Sequence, residues 1–221
     1  PLFLEVCTLI FLTITMHKIS LRYRVALLIV LLLIADQVLK IWVKTHMVLG
    51  EQHHILGNWF IIHFTENPGM AFGMEFWGGN GKLILSLFRI IASGLICVYI
   101  SWLIKKGAPV GVVLGMSLIL VGALGNVIDS AFYGLIFGES YYEPATFFPQ
   151  GGGYAGFLHG RVVDMLYFPI IQTTWPSWIP KIGGQPFIFF RPVFNIADSA
   201  ITIGVFYLLI FQRKFLFEKT S

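Results

Sequence analysis

Four long apolar stretches are the feature that most constrains how this chain of 221 residues can fold. They run roughly over 25–43, 83–104, 110–136 and 194–211, and a helix needs about 20 mostly apolar residues to cross a bilayer. Backbone polar groups inside lipid must pair within their own segment, so each stretch is expected to be an α-helix. The sequence therefore predicts an all-α polytopic membrane protein with four transmembrane helices.

Composition excludes most other classes of protein. Hydrophobic residues make up 57% of the chain and charged residues 12%, against about 45–50% and about 25% in a soluble domain. A disordered chain, a nucleic-acid-binding arm and a coiled coil are excluded, and so much apolar surface argues against a soluble enzyme. The two cysteines lie in apolar runs, so no disulfide framework is expected.

The basic residues predict an orientation, because Lys and Arg favour the cytoplasmic side. They cluster before the first stretch and after the second and fourth, which share one side if the spans alternate; these residues are Lys18, Arg22, Arg24, Lys105, Lys106, Arg213, Lys214 and Lys219. Both termini are therefore expected in the cytoplasm, with the segments 46–81 and 138–192 outside. Residues 51–67, β-branched and aromatic around a Gly-Asn pair, predict a hairpin at the membrane surface.

The expected membrane domain covers residues 22–214, followed by a cytoplasmic tail, 215–221. Residues 1–21 are interpreted as an N-terminal extension whose native status is open. Met16, followed by a basic run, is a natural start, and a short hydrophobic leader is the alternative.

Charged and polar residues inside the apolar stretches indicate function, because burying them in lipid is costly. Asp36 and Lys40 lie four apart on one helical face. They could form an ion pair that neutralises itself and reaches the membrane surface, or they could be part of an active site. Asn126 and Asp129 lie three apart in the third stretch. They could form a polar packing seam between helices, or they could line one wall of a polar site. The nearby small residues Gly122 and Gly125 would let another helix approach closely.

Two further acids, Asp164 and Asp198, stand beside apolar runs, and Asn195 precedes Asp198 by three residues. Asn195 and Asp198 could simply stabilise a helix start. Two neighbouring carboxyls, however, share one proton. The ionised one can then activate a water molecule while the protonated one polarises a carbonyl and serves a leaving amine. This chemistry is peptide hydrolysis without a metal or a cofactor.

Other sites are poorly supported by the sequence. Three histidines at positions 53, 54 and 63 lack an HExxH pattern or cysteine partners, so no metal site is predicted. A GxGxxG match at 151–156 has no strand before it and no long helix after it, so it is interpreted as chance. No basic and aromatic patch suggests nucleic acid.

Five short strings together resemble one known family. In order they are Asp36-Gln-Val-Leu-Lys40, Asn67-Pro-Gly69-Met-Ala71-Phe72-Gly73, Gly122-Ala-Leu-Gly125-Asn126-Val-Ile-Asp129, Val162-Val-Asp164 and Phe194-Asn195-Ile-Ala197-Asp198. Their order across four stretches is similar to that of the lipoprotein signal peptidases (signal peptidase II). The resemblance covers roughly residues 22–213.

The resemblance implies an aspartic endopeptidase of the bacterial inner membrane with its site near the outer face. Such enzymes remove signal peptides from prolipoproteins, cutting before a diacylglyceryl-modified cysteine, and are inhibited by globomycin. It implies the catalytic pair Asp164 and Asp198, and lipid-modified precursors and membrane lipids as partners. The residues that would support the site or bind substrate are Asp36, Lys40, Asn67, Gly69, Asn126, Asp129, Asn195 and Ala197. The implied fold adds a cradle around Asn67 and an outer loop as a lid.

Two departures leave alternatives open. The family usually carries Arg directly after the acid that matches Asp129, whereas this chain has Ser130, and Arg161 is the expected substitute. The stretch between Asp164 and Asp198 is also longer than the family pattern. A degenerate peptidase homologue is one alternative. Another is a transporter or proton channel that uses the intramembrane acids as a relay.

Overall fold

The computed structural model describes residues 20–68 and 81–217. The predictions for most of the N-terminal extension, for Gly69 and for the end of the tail lie outside the described residues. Residues 69–80 of the segment 46–81, which is predicted to lie outside, are also not among the described residues.

Three helices are long and apolar enough to cross a membrane, with mean hydropathies of 2.3, 2.3 and 2.2. Helix α1 is Leu21–His46 and α2 is Gly81–Lys105. The third span, Val110–Ile136, is built from α3 (Val110–Ile128), a π-helical turn (Asp129–Tyr133) and the short α4 (Gly134–Ile136). The predicted membrane protein fold is confirmed by these helices.

The last apolar stretch forms a shorter helix. Helix α5, Ile196–Phe211, has 16 residues, or about 24 Å at 1.5 Å per residue, against a hydrocarbon core of about 30 Å. The short α6, Arg213–Phe217, follows it. At the start of α5 the Asn195 side chain accepts a hydrogen bond from the Asp198 backbone N–H at 2.8 Å, as an N-cap does. Because α5 is shorter than the hydrocarbon core, a fourth membrane span stays a prediction.

The described residues form two sheets, which is more β-structure than the one small hairpin that the sequence analysis added to its helices. An antiparallel sheet has the strand order β1-β2-β3-β6, and β4 pairs separately with β5. The strands are β1 (Gln52–Leu56), β2 (Phe60–Asn67), β3 (Val162–Tyr167), β4 (Ile171–Thr174), β5 (Pro186–Phe189) and β6 (Val193–Phe194). The sequence analysis missed β3, whose central acid, Asp164, interrupts an apolar run. In the fold this strand is buried between β2 and β6.

Small residues bring α3 and α5 together, as the sequence analysis expected. A side chain at Gly122 would collide with the Ala197 carbonyl oxygen and the Ile201 side chain. One at Gly125 would lie 2.8 Å from Asp36 Oδ2 and 2.9 Å from Ala197 Cβ. The glycines therefore allow the start of α5 and the C-terminal half of α1 to meet on one side of α3.

Candidate active site

Asp164 and Asp198 come from different elements, the middle of β3 and the first turn of α5. Asp164 is only 6% exposed, and Asp198 is half-buried. Asn195 Nδ2 donates to Asp164 Oδ1 at 2.6 Å, and Asn126 Nδ2 donates to Asp198 Oδ1 at 2.8 Å. Because Asn195 Nδ2 also reaches Asn126 Oδ1 at 3.2 Å, an unbroken chain of two amides links the two carboxyls.

The two carboxyls have unlike surroundings. Burial, together with the neighbouring charge of Asp198, raises the pKa of Asp164 to about 8, against the opposing effects of Lys40 and of the Asn195 hydrogen bond. Asp164 therefore keeps its proton at neutral pH. A carboxyl that keeps its proton close to a second carboxyl is the arrangement that general acid–base hydrolysis requires.

Lys40 lies beneath this pair in a fully buried ion cluster. Its Nζ is 2.9 Å from Asp36 Oδ2 and 2.8 Å from Asp129 Oδ2, and the side chains of all three residues are 0% exposed. Its third donor reaches Asn126 Oδ1 at 3.2 Å. The interpretation of Asp36 and Lys40 as a surface pair is therefore wrong, because both side chains are buried. Through Lys40 the cluster also orients the Asn126 amide of the bridge.

Asp36 and Asp129 also hold the elements that carry the two acids. Asp36 Oδ1 accepts a hydrogen bond from the Ala197 backbone N–H at 2.9 Å, next to Asp198. Asp129 Oδ2 accepts one from the Val163 backbone N–H at 3.2 Å, next to Asp164. The charged cluster thus fixes the backbone on both sides of the candidate catalytic pair.

Sequence analysis missed Gln37, whose amide nitrogen donates to Asp129 Oδ1 at 2.9 Å and to Asp36 Oδ2 at 3.1 Å. The Tyr133 hydroxyl in turn donates to Gln37 Oε1 at 3.1 Å. A polar residue beside Asp36 in an apolar stretch was a usable signal for Gln37. No comparable signal marks Tyr133, because a tyrosine near the end of a span is ordinary.

Arg161 is not the partner of Asp129, so that prediction is wrong. Its Nη1 lies 2.9 Å from Glu66 Oε2 and 2.6 Å from Glu139 Oε2. Glu66 also forms an ion pair with Lys44, which donates to Ser140 Oγ at 2.9 Å. This second cluster ties α1, β2 and the segment after α4 together, and Lys40 takes the place at Asp129.

Asn67 is the last residue of β2 and pairs with Val162, while Thr65 pairs with Asp164. Asn67 therefore lies on the strand that neighbours β3, two residues beyond Thr65, which is the residue paired with Asp164. Gly69, the other residue predicted in this segment, is outside the described residues.

Comparison with known proteins identifies the family. A family profile described as Signal peptidase (SPase) II matches residues 28–214. A lipoprotein signal peptidase of Porphyromonas gingivalis is 56% identical over 188 residues, covering 84% of this chain and 81% of the relative. One from Amoebophilus asiaticus is 41% identical over 194 residues, covering 86% and 77%.

Solved structures agree in fold. A bacterial membrane enzyme determined by the in meso method at 2.3 Å resolution has a TM-score of 0.56 and 23% identity, covering 90% of this chain and 93% of that one. A second, at 1.9 Å resolution, has a TM-score of 0.54 and 25% identity, covering 89% and 94%. The profile match and the close relatives show that the chain belongs to the signal peptidase II family, the peptidases that remove signal peptides from prolipoproteins.

Proposed function

We propose that this peptidase cuts prolipoproteins immediately before a diacylglyceryl-modified cysteine and that Asp164 and Asp198 are its catalytic pair. The observation that supports this most strongly is the pairing of a buried, protonated Asp164 with Asp198 through the Asn126 and Asn195 amides. Asp36 and Asp129 are also joined by an amide, that of Gln37, but both carboxyls are fully buried around Lys40.

In the proposed reaction, Asp198 takes a proton from a water molecule as the oxygen attacks the scissile carbonyl carbon. Asp164 gives its proton to the carbonyl oxygen, forming a neutral tetrahedral intermediate. As this intermediate collapses, Asp198 passes its proton to the leaving amine, and the hydroxyl that Asp164 protonated returns its proton to Asp164. Both acids end in their starting states, so no cofactor is consumed.

The remaining predicted residues have supporting roles in this proposal. Lys40, Asp36 and Asp129 hold the backbone beside each acid, and the two asparagines set the spacing of the carboxyls. Asn67 and Gly69 would bind the substrate backbone at the end of β2. A low-dielectric surrounding strengthens each of these interactions.

We further propose that the enzyme lies in the bacterial inner membrane with four spans, both termini in the cytoplasm and the site near the outer surface. The sheet follows the end of α1 and precedes α5, whereas Lys105 and Lys106 lie at the opposite end of α2. That separation suits the preference of basic residues for the cytoplasmic side. Exposed Trp59 and Trp178 suit an interfacial position for the hairpin and the outer loop.

The lipid on the substrate is expected to decide cleavage. A synthetic precursor peptide carrying the diacylglyceryl cysteine should be cut at least about 100-fold faster than the same peptide without lipid, because remote binding energy positions the scissile bond. Mass spectrometry of products in lipid vesicles measures both rates, and globomycin should inhibit the faster one. Equal rates for the two peptides would contradict the proposed substrate.

The rate should fall at alkaline pH. Burial raises the pKa of Asp164 to about 8, so the carboxyl loses its proton as pH rises through that value and can no longer protonate the carbonyl oxygen. Initial rates on the lipidated peptide between about pH 6 and about pH 10 should show this descending limb. Recovery of full activity on return to neutral pH would exclude unfolding as the cause. A rate that still rises at about pH 9 would contradict the role of Asp164 as proton carrier.

A further inference from the structure

Strands β4 and β5 form a second hairpin, residues 171–189, which the proposed reaction does not use. They pair from Ile171 opposite Phe189 to Thr174 opposite Pro186, in a sheet separate from the one that carries Asp164. A hairpin of only two strands is marginally stable in water unless its apolar face packs against another surface. The second hairpin therefore needs a surface to rest on.

The second hairpin has one apolar face. Successive side chains of a strand point to opposite faces, so the register places Ile171, Thr173, Phe187 and Phe189 together. The Trp175 ring, whose centroid is 4.7 Å from that of Phe187, extends this face toward the turn. The opposite face carries Gln172, Thr174, Pro186 and Ile188. Because Ile171 and Phe189 are still 50% and 52% exposed, the described residues leave the apolar face partly uncovered.

A row of aromatic rings joins the foot of the second hairpin to the first one. Phe168 stacks between Phe60 and Phe194, with ring centroids 4.8 Å and 5.8 Å away. Phe190, directly after β5, lies 6.2 Å from Phe194, and the exposed Trp59 in the turn between β1 and β2 lies 6.1 Å from Phe168. The apolar helix α5 begins two residues after Phe194. Aromatic residues are enriched where a membrane meets water, so this row places the second hairpin at that level.

The charge of the segment favours lipid headgroups as the partner. Residues 168–194 contain no Asp or Glu but two cations, Lys181 in the turn of the second hairpin and Arg191 just after β5. Both are exposed, and neither forms an ion pair with a residue in the described ranges 20–68 and 81–217. Trp178, in the same turn as Lys181, is 79% exposed. Basic residues beside exposed aromatic residues complement the phosphates and the acyl boundary of an anionic membrane surface.

We propose that the second hairpin binds the outer leaflet of the membrane, with its apolar face below the headgroups and with Lys181 and Arg191 on the phosphates of anionic phospholipids. Residues 168–170 alone separate β3 from β4, so this contact would fix the height of Asp164 relative to the bilayer. The inference rests on the proposed orientation, in which the sheets lie at the outer surface.

Two neighbouring threonines on opposite faces provide a matched test. Nitroxide labels are placed at Thr173→Cys or Thr174→Cys in the full chain with Cys7→Ser and Cys97→Ser, in vesicles of phosphatidylcholine mixed with phosphatidylglycerol. The Thr173→Cys label should lie about 5–10 Å below the headgroups and collide with dissolved oxygen, whereas the Thr174→Cys label should collide with a water-soluble nickel chelate. Power saturation of the electron paramagnetic resonance signal measures both. If Thr173→Cys fails to fold, Ile171→Cys and Gln172→Cys are a second such pair.

The two cations are tested by neutralising them. Lys181→Gln/Arg191→Gln should lower the ratio of inserted to detached hairpin at the Thr173→Cys label by at least about 5-fold. Wild-type hairpins in vesicles of phosphatidylcholine alone should show a similar loss. Lys105→Gln/Lys106→Gln, which removes two exposed cations beyond the other end of the membrane domain, is the matched control and should leave the ratio unchanged.

Several outcomes would overturn the membrane contact. One is equal access of the nickel chelate to both labels, which would place the second hairpin in water. Another is an immobilised Thr173→Cys label that neither reagent reaches, which would mean that a second copy or another segment of this chain covers the apolar face. An unchanged ratio in phosphatidylcholine alone would overturn the binding of anionic headgroups. Labelling of Ser177→Cys by an impermeant maleimide only from the cytoplasmic side would instead overturn the proposed orientation, so the two failures are distinguishable.

Discussion

Replacing Asp164 or Asp198 with asparagine is expected to reduce cleavage of the lipidated precursor by at least about 10³-fold. Asparagine has the shape of aspartate and still occupies its place beside the Asn126 and Asn195 amides, but it can neither accept nor deliver the proton. At Asp164 it also removes a buried acid, so the variant should melt no lower than the wild type. Release of the signal peptide, followed by mass spectrometry, gives the rate.

The matched control is Glu143→Gln, because Glu143 is an exposed acid in the segment 138–192. Its rate should equal that of the wild type, which separates a loss of general charge from a loss of catalysis. Wild-type cleavage by either aspartate variant would contradict the assigned pair. If the purified wild type cleaves the precursor and neither variant does, a role as a transporter or channel is also excluded.

Spacing along a helix made part of the site predictable. Asp36 and Lys40 lie four apart in α1, and Asn126 and Asp129 lie three apart at the end of α3, so the helical period alone places each pair on one face. The structure brings all four side chains into a single buried cluster. Their chemical character in an apolar stretch predicted a functional role before any contact was known.

Contacts between elements were not predictable from spacing. Asp164 lies in a strand whose place is set by pairing with β2 and β6, and short strands around an acid give no clear periodic signal. The choice of Lys40 over Arg161 as the partner of Asp129 depends on how α1 packs against α3.

Lys40→Met is expected to cause the largest loss of stability, about 3–5 kcal/mol. Methionine fills a similar volume, but Asp36 and Asp129 would remain buried without their cation, and one bond to Asn126 would be lost. Thermal unfolding in detergent micelles measures the loss, and cleavage should fall with it because the amide bridge is no longer oriented.

The control for that loss is a second neutralisation within the same cluster. In Lys40→Met/Asp129→Asn one buried negative charge disappears with the positive one, so the double variant should melt higher than Lys40→Met alone, although both mutations remove contacts. Lys105→Met, which removes an exposed lysine, should change the melting temperature little. If Lys40→Met melts like Lys105→Met, the buried ion cluster does not hold the two backbone segments beside the acids. The geometry of the catalytic pair would then depend on packing between α3 and α5 at Gly122 instead.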